Sequence, residues 1–125
     1  MKKKPGKVYE RVYVHAAKVR IRKGWALMIN SIDGYSQFAF EAVLNETPQV
    51  TVEVLNQLFD NILKNYKPIF HPKQIVFITS LPEEEYGQLF MKTKAAHHRF
   101  VYNREATLNA MKELLGSLRF EMVEL

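Results

Sequence analysis

The chain has 125 residues, of which 47% are hydrophobic and 25% charged, so we expect one globular domain with a substantial core. It contains no cysteine and no run of about 18 apolar residues, which excludes disulfides and thiolate chemistry and argues against a membrane span or a secretory signal. We therefore expect a cytoplasmic protein. The net charge of +5 is concentrated at the start of the chain, where residues 1–23 carry nine Lys and Arg against one Glu.

The first part of the chain predicts three antiparallel strands. Residues 8–22 are rich in β-branched and aromatic residues with partial two-residue alternation, which is typical of a strand. Residues 25–32 and 35–44 are predicted as two further strands, because Asp33-Gly34 between them is a strong hairpin signal. The three segments together predict an antiparallel meander.

Helices alternate with strands in the rest of the chain. Thr47 suits the N-cap and Pro48 the first position of a helix that should run to about Asn65. The later elements are predicted as strand 74–79, helix 81–90, strand 97–102 and helix 103–118, the last capped by Asn103.

The resulting order, β-β-β-α-β-α-β-α, predicts an α/β domain with a five-stranded mixed sheet and helices on both faces. The domain should span residues 8–118, after a basic flexible tail at residues 1–7. A C-terminal extension, residues 119–125, contains the alternating segment RFEMVEL, which resembles the start of a strand.

The segment KVRIRK places several cations on one strand face. Its alternation puts Lys18, Arg20 and Arg22 opposite Val19 and Ile21. These cations could lie along a phosphate backbone, or they could form a solvated outer face of the sheet.

Four segments carry a family resemblance: GWALMINSIDGYSQFAFEAVL, ETPQVTVEVLNQLF, ITSLPEEEYGQLF and NREATLNAMKELLGSL. They resemble four parts of the integrase and transposase core family. In order, these are the second and third strands, the first helix, the fourth strand with its following helix, and the helix that carries the last catalytic acid. With the element order, they imply the ribonuclease H-like fold that retroviral integrases and many bacterial transposases share. The similarity covers most of residues 8–118.

The resemblance implies a site in which three carboxylates hold two Mg²⁺ or Mn²⁺ ions. The family's first acid, about nine residues before Gly24, corresponds to His15, and its second, after the fourth strand, corresponds to Leu81. The third corresponds to Glu105, in the first turn of the last helix. Because only Glu105 is acidic, we expect no metal cofactor and no strand cleavage.

A different metal site is the alternative for these residues. His15 and Glu105, with one carboxylate from residues 83–85, could form a His/carboxylate site for Zn²⁺ or Mn²⁺. His97 and His98 are adjacent on a predicted strand, so they should point to opposite faces and not share a metal.

Three functions stay open. A core without its acids would bind DNA, or assemble as a homodimer or with a partner transposase subunit, without cleaving. A protein-interaction scaffold would use Trp25, Tyr66, Phe70 or Tyr86 as anchors if they are exposed. The third is an active integrase or transposase with a divergent site. The residues predicted to contact phosphates are Lys18, Arg20, Arg22, Lys23, Arg99 and Arg104.

Overall fold

A computed structural model of the protein describes residues 6–40 and 42–125. The strands are β1 (Arg11–Ile21), β2 (Gly24–Asp33), β3 (Val43–Asn45), β4 (Val76–Thr79), β5 (Arg99–Tyr102) and β6 (Met122–Glu124). The helices are α1 (Val52–Leu63), α2 (Glu83–Met91), α3 (Arg104–Ala110) and α4 (Lys112–Ser117). None of these helices is long and apolar enough to cross a membrane. Most of the predicted basic tail, residues 1–5, lies outside the described residues, as does position 41.

The strands form a mixed sheet in the order β3-β2-β1-β4-β5, which confirms the predicted α/β class. β2 is antiparallel to β1 and to β3, whereas β4 is parallel to β1 and to β5. β4 pairs with β1 only from Arg11 to Val14, and β6 occupies the same edge farther along, beside Ala17 to Val19. Among the described residues the sheet therefore has six strands rather than the predicted five, and the sixth, β6, lies in the alternating segment RFEMVEL.

Alternation along β1 builds the main hydrophobic core. Val12, Val14 and Ala16 point to one face of the sheet, where they belong to one buried cluster with Phe59 of α1 and Phe77 of β4. The residues of α1 that enter this cluster recur at helical spacing, as the sequence predicts. α1 and α2 therefore cover one face of the sheet.

The opposite face of β1 carries a smaller core. Val19, Ala26 and Met28 form a second buried cluster, against which Leu118 and Met122 pack from the last part of the chain. α3, which precedes Leu118 and Met122 in the chain, contacts both β1 and β4. This second cluster is thus covered by the last part of the chain, with Leu118 directly after α4 and Met122 in β6.

β1 begins at Arg11, later than predicted, because Tyr9 adopts a left-handed backbone conformation with φ of 69°. Tyr9 is buried, and its N–H donates to Asp33 Oδ1 at 2.8 Å while its hydroxyl donates to the carbonyl oxygen of Ile62 at 3.2 Å. These bonds hold a conformation that costs a residue other than glycine about 1–3 kcal/mol.

The third strand is much shorter than the predicted span of residues 35–44. The Asp33 carboxylate accepts hydrogen bonds from the N–H and the hydroxyl of Ser36, at 2.7 and 2.8 Å, and so closes a turn after β2. Only an isolated bridge between Ile32 and Ala39 continues the pairing before β3 begins. The turn lies where the sequence predicts it, but the returning strand forms later.

α1 begins later than predicted because Thr51, not Thr47, caps it. Thr51 Oγ1 accepts a hydrogen bond from the N–H of Val54 at 3.2 Å. Val50, the residue before the cap, is buried in the main core together with Leu55, and such a contact fixes the entry of a helix.

The single helix predicted for residues 103–118 is interrupted at Met111, which separates α3 from α4. Its predicted cap is confirmed, since Asn103 Oδ1 accepts a hydrogen bond from the N–H of Ala106 at 3.0 Å. Met111 is fully buried and has a backbone outside the helical region, with φ of −99° and ψ of 6°.

We expect Asp33→Ala to lower the free energy of unfolding by about 2–3 kcal/mol, because three donors would lose a buried carboxylate acceptor. Urea denaturation followed by circular dichroism measures the change. The matched control is Asp60→Ala, since Asp60 is exposed and pairs with Lys94, and this change should cost less than about 1 kcal/mol. Equal losses in the two variants would contradict the role of Asp33.

Candidate functional site

The junction of β1 and β4 brings His15 and Ser80 together. Thr79 lies opposite Val14 in the parallel register, so the next residues, His15 and Ser80, share a face of the sheet. His15 Nδ1 lies 2.6 Å from Ser80 Oγ, and the two residues are only 1% and 2% exposed. Asn30 of β2, which is also buried, pairs with His15 on its other side.

The surroundings of His15 keep its imidazole neutral. Burial lowers the pKa of His15 below its usual value, the Glu124 carboxylate acts to raise it, and the Arg104 guanidinium acts to lower it. Arg104 Nη2 lies 3.0 Å from Glu124 Oε2, so these two charges are already paired with each other. His15 Nε2 is buried without a hydrogen-bond partner in the described part of the chain. The junction therefore offers a neutral ring and a hydroxyl.

Leu81, which the resemblance places at the second acid position, lies in the main core with 1% of its surface exposed. It follows the alternation of Phe77, which belongs to the same cluster on the α1 and α2 side of the sheet. The residue that contacts His15 is the immediate neighbour, Ser80. Neither position 80 nor position 81 therefore carries an acid.

Glu105 lies in the first turn of α3 and is exposed. Together with Tyr13 and Asn109 it lines an open cavity of about 590 Å³, and His15 is not among the lining residues. Leu81 lies on the main-core face of the sheet whereas His15 lies on the other face with Ser80, so the three positions implied by the resemblance do not share one face. Residues 6–40 and 42–125 contain no cluster of three or more His, Asp or Glu that could hold a metal ion, the alternative His/carboxylate set included.

His97 and His98 lie in a turn before β5 and not in the strand, so the expectation of opposite faces is wrong. Their ring centroids are 4.1 Å apart. His98 is buried, and its Nδ1 accepts a hydrogen bond from the N–H of Ile75 at 3.0 Å. Burial, with a smaller contribution from His97, lowers the pKa of His98 to about 4.

Four of the predicted cations lie together at the end of the β1–β2 hairpin. Lys18 and Arg20 are in β1, whereas Arg22 and Lys23 form the turn itself, so Arg22 is not on the strand face. The guanidinium of Arg20 lies 5.5 Å from the ring centroid of Trp25, a cation–π contact. We call Lys18, Arg20, Arg22 and Lys23 the hairpin-tip cations.

The other two predicted cations lie elsewhere. Arg99 pairs with Val76 at the start of β5, and Val76 pairs with Arg11 at the start of β1. Because Arg20 is nine residues farther along β1, Arg99 is about 30 Å from the hairpin tip. Arg104 is paired with Glu124. The six predicted cations therefore do not form one surface.

Sequence reasoning did not select Ser80, Asn30 and Glu124, which surround His15. Ser80 is next to Leu81, the residue that the resemblance selects. Counting outward from the two-residue turn between β1 and β2 pairs Asn30 with His15. Glu124 had no local signal, since its position depends on β6 returning to β1.

Comparison with known proteins adds no family assignment. Neither a scan against models of protein families nor a search of curated proteins found a match.

We expect the free energy of unfolding to fall as the pH is lowered from about 6.5 towards 5, because the pKa values of folded His15 and His98 lie below the unfolded value. The unfolded chain then takes up protons that the folded chain excludes, at up to about 1.4 kcal/mol per pH unit for each group. The loss should level off once the pH falls below the folded pKa values.

Urea denaturation across this pH range measures the effect in the protein and in the variants His15→Asn and His98→Asn. Each asparagine keeps an acceptor near the Nδ1 position but cannot titrate, so each variant should show a shallower pH dependence. Unchanged slopes in both variants would show that these histidines are not the cause.

Proposed function

We propose that the chain is a ribonuclease H-like protein related to integrase and transposase cores, and that it binds DNA, or assembles with a transposase subunit, without cleaving strands. The observation that carries the proposal is the buried contact between His15 and Ser80 at the β1–β4 junction, where the resemblance implies metal-binding acids.

The topology supports the fold assignment in this proposal. The antiparallel β1-β2-β3 unit and the mixed sheet, in which β4 and β5 are parallel to β1, are compatible with the element order on which the resemblance rests. Helices follow β3, β4 and β5 in the implied order, and α3, which follows β5, has Glu105 in its first turn.

The chemistry of the junction supports a role without cleavage. Two-metal strand transfer needs charged oxygens that hold two ions about 3.5–4 Å apart, and Mg²⁺ prefers carboxylate and water ligands. His15 and Ser80 supply a neutral ring and a hydroxyl instead, and the nearby Glu124 carboxylate is paired with Arg104. A divalent ion buried there would lack compensating charge, which is costly in a protein interior.

The hairpin-tip cations support the DNA-binding part of the proposal. Arg20, Arg22 and Lys23 are exposed, and they are close together because two of them form the turn next to the strand that carries the third. Gly24 permits this tight turn, since its φ of 130° is in a region that favours glycine. A compact group of cations can contact successive phosphates without reading base sequence.

We expect the protein to shift duplex DNA in a mobility assay at low salt, with affinity that falls steeply as salt increases. The double variant Arg20→Ala/Arg22→Ala should weaken binding at least about tenfold and reduce the slope of log affinity against log salt by about two. A matched control is Lys67→Ala/Lys73→Ala, which removes two exposed cations from the α1–β4 loop. An equal loss of DNA affinity in the two double variants, or no mobility shift of the DNA at low salt, would contradict the proposal.

The same DNA, incubated with Mg²⁺ or Mn²⁺, should show no nicking or strand transfer. Turnover that disappears in Glu105→Gln would show that the site is an active, divergent one.

An interaction scaffold is the second candidate, and an exposed apolar pair favours it. Ile69 and Phe70, in the loop between α1 and β4, are 84% and 75% exposed. The other three anchors suggested by the sequence are partly buried: Trp25 lies beside Arg20, Tyr66 donates a hydrogen bond to the carbonyl oxygen of Pro72, and Tyr86 packs on the main core. Phe70 is therefore the anchor that remains available to a partner.

If this surface holds a second copy of the chain, Ile69→Ser/Phe70→Ser should convert a dimer to a monomer in sedimentation velocity while leaving thermal stability within a few degrees. Leu44→Ser serves as the control, because Leu44 is a 59% exposed apolar residue on a different element. A monomeric parent protein, or a dimer that persists in the double variant, would exclude this pair as a self-association surface.

A further inference from the structure

The outer edge of β5 has free backbone groups. β5 ends the sheet, and it pairs only with β4 in the described part of the chain. The N–H group of Arg99 donates to the carbonyl oxygen of Ile75, just before β4, at 3.1 Å, and that of Asn103 donates to the carbonyl oxygen of Thr79 in β4 at 3.0 Å. Because donors alternate in a parallel ladder, the N–H and C=O groups of Phe100 and Tyr102 point away from β4. This edge can accept another strand.

A groove runs beside this edge, between β5 and α2. Its volume is about 600 Å³, and it is lined by Gly87 and Met91 from α2 and by Phe100 and Tyr102 from β5, with His98 also in its lining. The side chains of Phe100 and Tyr102 are only partly buried and pack against the main core, so they form an apolar floor. An added strand could place alternate side chains in this groove.

Gly87 keeps the middle of the groove open. A Cβ atom at this position would lie 3.2 Å from Glu83 Cγ and 3.6 Å from the Tyr102 hydroxyl. Glycine inside a helix costs about 0.5–1 kcal/mol relative to alanine, so its presence here lowers the stability of α2 and leaves space between the helix and β5.

The groove has acidic residues at one end and a lysine at the other. Glu83 and Glu84 line it, in the first turn of α2, and neither forms an ion pair with any residue in the described ranges. The pKa of the Tyr102 hydroxyl is raised by burial and by the nearby Glu83 carboxylate, which places negative charge at this end. Lys92 lies at the other end, after the last turn of α2.

His98, one of the residues that line the groove, has an unsatisfied buried donor. His98 Nδ1 accepts the hydrogen bond from Ile75, so the neutral ring carries its proton on Nε2. His98 is 6% exposed, and its Nε2 has no hydrogen-bond partner within residues 6–40 and 42–125. Buried polar groups without a partner are rare, so this atom is an exception within the described part of the chain.

We propose that β5 and α2 bind an extended peptide segment of a partner protein, which adds a strand to the free edge of β5. The segment carries an apolar side chain opposite Phe100 and Met91, and a basic side chain two residues away opposite Tyr102 and Glu84. The spacing follows from the geometry, because Phe100 and Tyr102 are themselves two residues apart on one face of β5. Backbone hydrogen bonds would supply affinity, and the groove with its acidic end would supply specificity.

The test uses the full chain and a short fluorescein-labelled peptide with Ser-Leu-Thr-Lys-Ser at its centre. We expect saturable binding by fluorescence anisotropy, and a peptide with Glu in place of Lys should bind at least about tenfold more weakly. A peptide N-methylated at its three central residues should also lose binding, because it cannot donate to the edge of β5. Equal binding of the parent and N-methylated peptides would overturn the proposal.

Two protein variants locate the binding. Gly87→Leu fills the groove and should weaken binding at least about tenfold, whereas Gly116→Leu, with no atom within 4 Å of its added Cβ, should leave binding unchanged. Glu84→Gln should weaken binding several-fold, and Glu53→Gln, an exposed acid in the first turn of α1, is its control. Thermal melts establish that each variant is folded.

The results of these experiments distinguish a partner peptide in the groove from a second copy of the chain. Binding that is unchanged in both Gly87→Leu and Glu84→Gln would overturn the proposal, as would no binding at the highest soluble protein concentration. A dimer of the unliganded chain that Gly87→Leu dissociates would assign the groove to a second copy of the chain, and would also overturn the partner-peptide assignment.

Discussion

The structure depends on the pairing of β1 along both of its edges. β2 follows it on one side from Val12 to Ile21, while β4 and β6 share the other side. Because side chains alternate between faces, a register shift of one residue would move Val14 out of the main core and bring His15 into it. One strand therefore fixes the main core, the position of His15 beside Ser80, and the place where the hairpin turns.

The β1–β4 junction shows how burial changes the chemistry of a site. His15 and Ser80 form a neutral contact in a closed environment, and the two charges nearest to it, Arg104 and Glu124, neutralise each other while they link α3 to β6. Such an arrangement links β1, β6 and α3 by contacts within the chain, and burial holds the pKa of His15 below its usual value.

The two proposed binding surfaces have opposite charge and lie on different parts of the sheet. The hairpin-tip cations favour a phosphate backbone, whereas Glu83 and Glu84 beside β5 favour a basic peptide. The acids would repel DNA from the groove, and the cations would repel a basic peptide from the hairpin. A protein that carries both surfaces can hold a nucleic acid and a protein partner at the same time, which is the behaviour expected of an assembly subunit.

The sequence by itself determined the α/β class, the long first strand, the turn at Asp33 and the cap at Asn103, because alternation, turn chemistry and capping act over a few residues. Only the tertiary structure decided that Tyr9 leaves the strand, that Thr51 replaces Thr47 as a cap, and that Ser80 rather than Leu81 meets His15. Tyr9 bonds to Asp33 and Ile62, and Ser80 meets His15, across more than 20 residues of chain in each case, while the choice between the two threonine caps follows from the burial of Val50 in the main core. The same reason explains the position of β6 and the open edge of β5: alternation in RFEMVEL indicates a strand, but no local pattern shows which strand it will pair with.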